Sequence, residues 1–228
     1  MQTLTLGIDD AGRGPLIGPM VLAGVILSPE QEKMLKSEGV ADSKALTHPM
    51  RVRLSDLIRE NSEGNHLELL TPEEIDNALT TGTNLNTLEA QAMAKIINAL
   101  TRPGLHVVVD CPSVNTVAWR KVLISYVKKP EILDIKCEHK ADVNHVSASA
   151  ASILAKVRRE EEVDKLKKQY GNMGSGYPSD PFTKEFLKTR GKELADSGIF
   201  RKTWATWKAI FPDSQEVETN NDKQQKLF

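Results

Sequence analysis

The chain has 228 residues, 39 % of them hydrophobic and 27 % charged, with a formal net charge of −1; this is the composition of an ordinary folded protein with enough length for one core and an appendage. No apolar run approaches the roughly 18–20 residues needed to span a bilayer, and the start of the chain lacks a signal-peptide pattern, so membrane-spanning and exported classes are set aside and a cytoplasmic location is expected. The near-zero total hides an asymmetry: residues 1–114 carry 9 basic and 15 acidic side chains, residues 115–208 carry 19 and 12, a pattern that suits a polyanion ligand around an acidic centre and equally an ordinary dipolar surface.

Leu4, Leu6 and Ile8 alternate as in a half-buried strand, which delivers the adjacent acids Asp9 and Asp10 into a segment holding Gly12, Gly14 and Gly18. Acids at a strand's carboxyl end, followed by glycines that let backbone approach a ligand, suggest a site; a tight turn with solvated acids is the plainer alternative. Residues 20–27 form a continuous apolar run of buried-strand length. Helical composition over residues 29–38 and 49–60 brackets the polar triplet Asp42-Ser43-Lys44, and residues 66–70 are a third candidate strand. Thr71-Pro72-Glu73-Glu74 opens a helix with a cap, a first-position proline and a capping acid.

An apolar stripe at Leu85, Leu88, Ala92, Ile96 and Leu100 marks a strong helix, stopped by Pro103-Gly104. Residues 105–109 form a strand ending in Asp110, residues 114–127 look helical, and residues 132–137 alternate like a strand shortly before Asp142. The two cysteines, Cys111 and Cys137, are too few for a disulfide scaffold, lack zinc-type spacing and are expected as free thiols. Residues 147–170 make a long helix, rich in small residues at its start and charged after Lys156. A Gly/Pro/Ser loop at 172–181 carries Tyr177, and helices follow near 182–195 and 203–211. Strands, then strand–helix–strand crossovers, then helices describe an α/β sheet with a helical appendage.

Asp9, Asp110 and Asp142 each stand at or just after a predicted strand end, and such ends converge on the edge where α/β proteins bind ligands. Clustered carboxylates repel one another unless cations offset the charge. Oxygen-only ligands favour Mg²⁺ or Mn²⁺ over zinc, and a pair of such ions about 3.5–4 Å apart suits in-line attack on a phosphodiester. Neither nucleotide-binding glycine fingerprint is present. Ser43, Lys44, Lys156, Arg158 and Arg159 supply donors suited to phosphates, although any single lysine is more often just solvated.

These residues together resemble a known family. Residues 7–15 (GIDDAGRGP), 42–44 (DSK), 109–110 (VD), 140–142 (KAD) running into 146–159, and 174–178 (GSGYP) are similar to ribonuclease HII, most of all its archaeal form, over residues 3–211. The resemblance implies a ribonuclease H-like fold: a five-stranded mixed sheet flanked by helices, with residues 1–170 as the catalytic domain, 171–211 as a helical segment packed on it, and 212–228 as a disordered tail. It implies a metal-dependent endoribonuclease that hydrolyses the RNA strand of RNA/DNA hybrids. It implies also nicking 5′ of ribonucleotides embedded in duplex DNA, leaving a 3′ hydroxyl and a 5′ phosphate. Asp9, Asp10, Asp110 and Asp142 would be the catalytic, metal-holding quartet. Gly12, Arg13 and Gly14 would read the ribose 2′-hydroxyl, Tyr177 would stack on the following sugar, and Ser43, Lys44, Lys156 and Arg159 would hold phosphates.

One position departs from the pattern. The family more commonly has Glu where this chain has Asp10, and the shorter side chain withdraws the carboxylate by roughly 1.5 Å. A catalytically impaired hybrid-binding protein is the alternative this raises, and a different Mg²⁺-dependent phosphotransferase on the same sheet is a third reading, against which the Gly-Arg-Gly and Tyr177 segments argue. His106, His139 and His145 lie near strand ends without a clear general-base role. The ending Gln224-Gln225-Lys226-Leu227-Phe228 partly resembles a sliding-clamp-binding peptide, lacking its second aromatic. A monomer is expected.

Overall fold

In this computed structural model, which describes residues 3–40 and 46–212, β1 (Thr5–Ala11) and β2 (Met20–Leu27) pair antiparallel, with Ile8 opposite Gly24 and Asp10 opposite Leu22. Helices α1 (Pro29–Ser37) and α2 (His48–Asn61) precede β3 (Gly64–Leu70), which lies antiparallel to β2. Then α3 (Pro72–Thr80) and α4 (Leu85–Leu100) lead to β4 (His106–Asp110), parallel to β1. Next, α5 (Thr116–Ser125) and a 3-10 turn at Pro130–Ile132 lead to β5 (Asp134–Glu138), parallel to β4. The one-turn α6 (Ala141–Asn144), the 25-residue α7 (Val146–Tyr170), α8 (Pro181–Arg190) and α9 (Ala205–Ile210) follow. The resulting five-stranded mixed sheet has the order β3-β2-β1-β4-β5.

Local chemistry sets the element ends. Ser28 and Gln31, like Thr71 and Glu74, form reciprocal capping boxes that satisfy the first amides of α1 and α3. The Asn84 side chain accepts from Thr87 N at the start of α4. On one face of the sheet, Leu6, Ile8, Leu22 and Val107 pack with Met93, Ile96, Trp119 and Leu123 from α4 and α5. On the other, Val21, Ala23 and Val25 meet Leu54 and Ile58 of α2 and Ala150, Ala151 and Leu154 of α7. Every residue of β2 is buried because both its faces are covered, which is why its sequence is continuously apolar rather than alternating.

A third cluster attaches the end of the chain. Leu16 and Ile17 pack with Met173, Phe186, Ile199, Phe200 and Trp207, and the Phe200 and Trp207 rings lie 4.8 Å apart. Backbone bonds stitch the same contact: Leu16 N donates to Gly176 O (2.8 Å), Gly18 N to Ile199 O (2.9 Å) and Arg201 N to Leu16 O (2.9 Å).

Several boundaries differ from the sequence reading. β1 continues through both acids to Ala11. The strand expected at 132–137 is shifted to Asp134–Glu138, because Pro130–Ile132 closes a 3-10 turn first. The helix expected over 182–195 stops at Arg190 and the chain continues as turns; a Cβ on Gly191 would sit 2.7 Å from the Phe211 ring, which is why that position is a glycine. Asp142, expected just beyond a strand, is carried by α6. Cys111 is buried and Cys137 partly buried, both free. The Asp42-Ser43-Lys44 triplet and residues 213–228 lie outside the described residues. Among those described, no helix is long and apolar enough to cross a membrane.

The contact that places the site is between β1 and the start of α7. A Cβ on Gly7 would lie 2.1 Å from Ala148 N and from Ser147 C, so strand and helix touch backbone to backbone. Backbone cannot swing aside as a flexible side chain can. Gly7→Ala is therefore expected to cost about 3 kcal/mol through forced separation of the two elements, read as a lowered urea midpoint with an unchanged m-value.

Candidate active site

The parallel pair β1 and β4 ends with acids side by side: Asp9 and Asp10 in β1, Asp110 as the last residue of β4. Adjacent strand residues address opposite faces. Asp9 turns toward α7, where Ser152 lowers its pKa by hydrogen bonding, and its carboxylate also accepts from Asp10 N at 2.7 Å. Burial first, then the charges of Asp10 and Asp110, nevertheless hold Asp9 well above the usual carboxylate range. Asp10 is raised to about 6, first by burial and against the attraction of Arg13, with Asp110 adding to the rise and Lys156 opposing it.

Asp142 arrives by a different device. Asp110 Oδ1 accepts from Ala141 N at 2.8 Å, which fixes the start of α6 against the end of β4 one residue before Asp142. The preceding Lys140 adopts left-handed backbone (φ 59°, ψ 38°), a conformation costing about 1–2 kcal/mol for a residue with a Cβ. The turn from β5 into α6 is thus held by the acid it serves, and Asp142 is 92 % buried there. The structure brings Asp9, Asp10 and Asp110 into one electrostatic group and ties Asp142 to it through the backbone.

Among the described residues no three His, Cys, Asp or Glu side chains stand close enough to enclose a metal ion as they are. By chemistry the group still fits a hard divalent cation. It is built of carboxylates only, Asp9 and Asp142 are buried, and the charges of Asp10 and Asp110 raise Asp9 while that of Asp110 raises Asp10, so positive charge arriving there relieves a repulsion.

A cleft of about 810 Å³ opens beside Asp10 and is lined by Gly12, Arg13, Gly14, Lys156, Arg159 and Tyr177, six of the residues expected to meet substrate. Tyr177, 40 % exposed, presents its ring over the Arg159 guanidinium at 5.2 Å. Arg159 itself is nearly buried, and its Nη2 donates to Ser175 O at 3.0 Å. A Cβ on Gly12, whose φ of +89° is itself unfavourable to other residues, would lie 2.4 Å from the Arg159 side chain. Arg159 thus lies between the Gly12 segment and the Tyr177 loop, on the wall of the same cleft. Ser43 and Lys44 fall outside the described residues.

Several residues escaped the sequence reading. Arg201, fully buried, donates through Nη2 to Gly12 O (2.7 Å), through Nη1 to Arg13 O (2.9 Å) and through Nε and Nη2 to Gly18 O (3.2 and 3.0 Å). Its guanidinium stacks on Trp204 at 4.9 Å, and Trp204 Nε1 donates to Gly14 O at 3.2 Å. Burial, and then the charge of Arg159, lower its pKa, but a guanidinium stays cationic at neutral pH. On the other flank the Arg13 side chain is drawn to α4, ion-paired with the fully buried Glu89 and donating to Asn86 Oδ1 at 2.7 Å. Trp119 Nε1 in turn donates to Asn86 O (3.1 Å). Glu89 had a readable signal, an acid on the buried stripe of an amphipathic helix; Arg201 had none.

A mixed sheet in this order, with buried acids at the ends of adjacent parallel strands and a third chain segment bringing another, defines a ribonuclease H-like enzyme. A family model described as ribonuclease HII matches residues 6–207. The chain is 42 % identical to the ribonuclease HII of Sulfurisphaera tokodaii, over 92 % of its own length and 97 % of that protein's. It superposes on the ribonuclease H2 of Pyrococcus horikoshii with a TM-score of 0.83 at 37 % identity, covering 91 % of this chain and 97 % of that one. On the Archaeoglobus fulgidus RNase HII, in a structure of its complex with PCNA, the TM-score is 0.78 at 36 % identity, covering 88 % and 95 %. The chain belongs to the ribonuclease HII family. It is a hydrolase, an endoribonuclease with ribonuclease H activity on RNA/DNA hybrids.

The raised Asp10 pKa carries a consequence for stability. Between pH about 4 and about 6 the folded chain retains a proton that the unfolded chain has released, so without divalent ions stability falls as pH rises through that window. In a chelating buffer at pH 7.5, Asp10→Asn is expected to unfold about 1–3 kcal/mol later than the parent protein. Below pH 4 the two melting curves should coincide.

Proposed function

We propose that the enzyme hydrolyses the RNA strand of RNA/DNA hybrids and nicks duplex DNA on the 5′ side of embedded ribonucleotides, leaving a 3′ hydroxyl and a 5′ phosphate. Asp9, Asp10, Asp110 and Asp142 would hold two divalent cations, Mg²⁺ or Mn²⁺. When bound, such ions supply an activated water and charge stabilisation at the leaving 3′ oxygen. The observation that supports this reading is the cluster of Asp9, Asp10 and Asp110 at the ends of adjacent strands, in which Asp10 and Asp110 raise Asp9 and Asp110 raises Asp10, with Asp10 lining the cleft.

The chain's own residues position the strand. The backbone of Gly12, Arg13 and Gly14 borders the cleft where a ribose would lie, and the 2′-hydroxyl is the group that separates RNA from DNA at a single site. Tyr177 offers its free ring face to the neighbouring sugar, with Arg159 supporting the other side. Lys156, one charged side chain on the cleft wall near Asp10, suits a phosphate oxygen. Ser43 and Lys44 complete the phosphate contacts in this reading. Asp10 in place of the commoner Glu does not favour the impaired-binder alternative, since its carboxylate is coupled to Asp110 in spite of its length.

The catalytic test is a labelled duplex with one embedded ribonucleotide. Metal-dependent nicking is expected, and Asp10→Asn should lower the rate about 100-fold or more while the variant still binds the duplex; an unimpaired Asp10→Asn enzyme removes Asp10 from the site. Residues 224–228 are proposed to bind a sliding clamp, a reading supported by the Archaeoglobus fulgidus complex with PCNA. Deleting residues 220–228 should abolish capture on the clamp and leave the nicking rate unchanged.

A further inference from the structure

Arg201 stands 189 positions from Gly12 in the chain, yet its guanidinium holds three carbonyls of the segment that borders the cleft: Gly12, Arg13 and Gly18. Trp204, stacked on it, holds the carbonyl of Gly14. The orientation of these carbonyls fixes more than the carbonyls themselves. In a trans peptide the C=O of one residue and the N–H of the next point in opposite directions. Gly12 O turned to Arg201 turns Arg13 N–H away from it, and Arg13 O turned to Arg201 does the same for Gly14 N–H. Among the described residues neither N–H donates to another protein group. Arg201 is fully buried beneath the segment and contributes nothing to the cleft wall, whereas Gly12, Arg13 and Gly14 all do.

We infer that Arg201, with Trp204 stacked on its guanidinium, is a positioning residue that aims two adjacent backbone donors, Arg13 N–H and Gly14 N–H, into the cleft and thereby sets the preference for ribose over deoxyribose. The pair takes an acceptor oxygen. A ribose 2′-oxygen and a phosphate oxygen share that chemistry, and only the first distinguishes RNA from DNA. The inference rests on the reading of residues 12–14 as sugar-contacting backbone. The surrounding structure explains why an arginine is needed: its planar fork can meet several carbonyls at fixed angles, which a lysine's single ammonium cannot.

The experiment uses the full-length enzyme with Mg²⁺. It measures kcat and KM on a duplex with one embedded ribonucleotide, and the inhibition constant of an all-DNA duplex of the same sequence. Arg201→Lys should lower kcat/KM on the ribonucleotide duplex about 10- to 100-fold, through loss of two or more charge-assisted hydrogen bonds. The all-DNA inhibition constant should stay within about twofold, because phosphate contacts elsewhere dominate it. Trp204→Leu removes the ring stacked on the guanidinium and so loosens Arg201 without deleting it; it should lower kcat/KM about threefold with the same selectivity, and it carries the test if Arg201→Lys does not fold. Proportional loss on both duplexes would assign the donor pair to a phosphate, and no loss at all would make Arg201 a fold residue only; either result overturns the inference while the parent enzyme's nicking leaves the underlying reading intact. A parent enzyme that ignores the embedded ribonucleotide overturns both.

Discussion

Gly7 lies against the peptide joining Ser147 to Ala148 with no room for a methyl group between them. That contact brings β1 and α7 together as backbone surfaces, and everything chemical in the molecule is distributed along those two elements or answers to them. β1 carries Asp9 and Asp10; α7 carries Ser152, Lys156 and Arg159 further along the same line. Small residues at the start of α7 permit the approach, and the long side chains that follow reach outward only once the helix has passed the sheet's edge. An acidic centre beside a cationic wall follows from one helix lying on one strand.

Patterns that depend on neighbours along the chain were legible in the sequence. The buried run of β2, the capping box at Thr71 and the apolar stripe of α4 all rest on local periodicity and local hydrogen bonding, and the structure places them as read. The placing of acids at or just after strand ends followed from the same patterns with one topological rule, whereas the strand order did not. Features decided by distant partners were not legible. The need for glycine at position 191 depends on where the Phe211 ring falls. Arg159 reads as a surface donor in sequence, yet it is largely buried, with Nη2 donating to Ser175 O and the guanidinium over the Tyr177 ring. Arg201 sits in a short aromatic-rich stretch with no periodicity, and its three acceptors lie at the opposite end of the chain.

The charge asymmetry of the two halves acquires a more exact meaning from the structure. Part of the basic surplus of the second half is not surface charge awaiting a polyanion. Arg159 and Arg201 are largely buried; Arg201 holds the carbonyls of the glycine segment of the first half, and the Arg159 side chain lies against Gly12. Glu89 plays the reverse part, a buried acid that fixes the Arg13 side chain on α4. The segment between β1 and β2 carries few side chains able to fix its own shape, and ion pairs and guanidinium forks from three other regions do so in its stead.

The distance between that segment and its lock also bears on how the protein comes into being. Translation makes the loop at the beginning and its clamp near the finish, so a nascent chain can assemble the sheet and its acids well before Arg201 leaves the ribosome. Until then the carbonyls of Gly12, Arg13 and Gly18 lack the guanidinium that holds them. The shape of that segment is therefore completed after the strands that carry Asp9, Asp10 and Asp110 have been made.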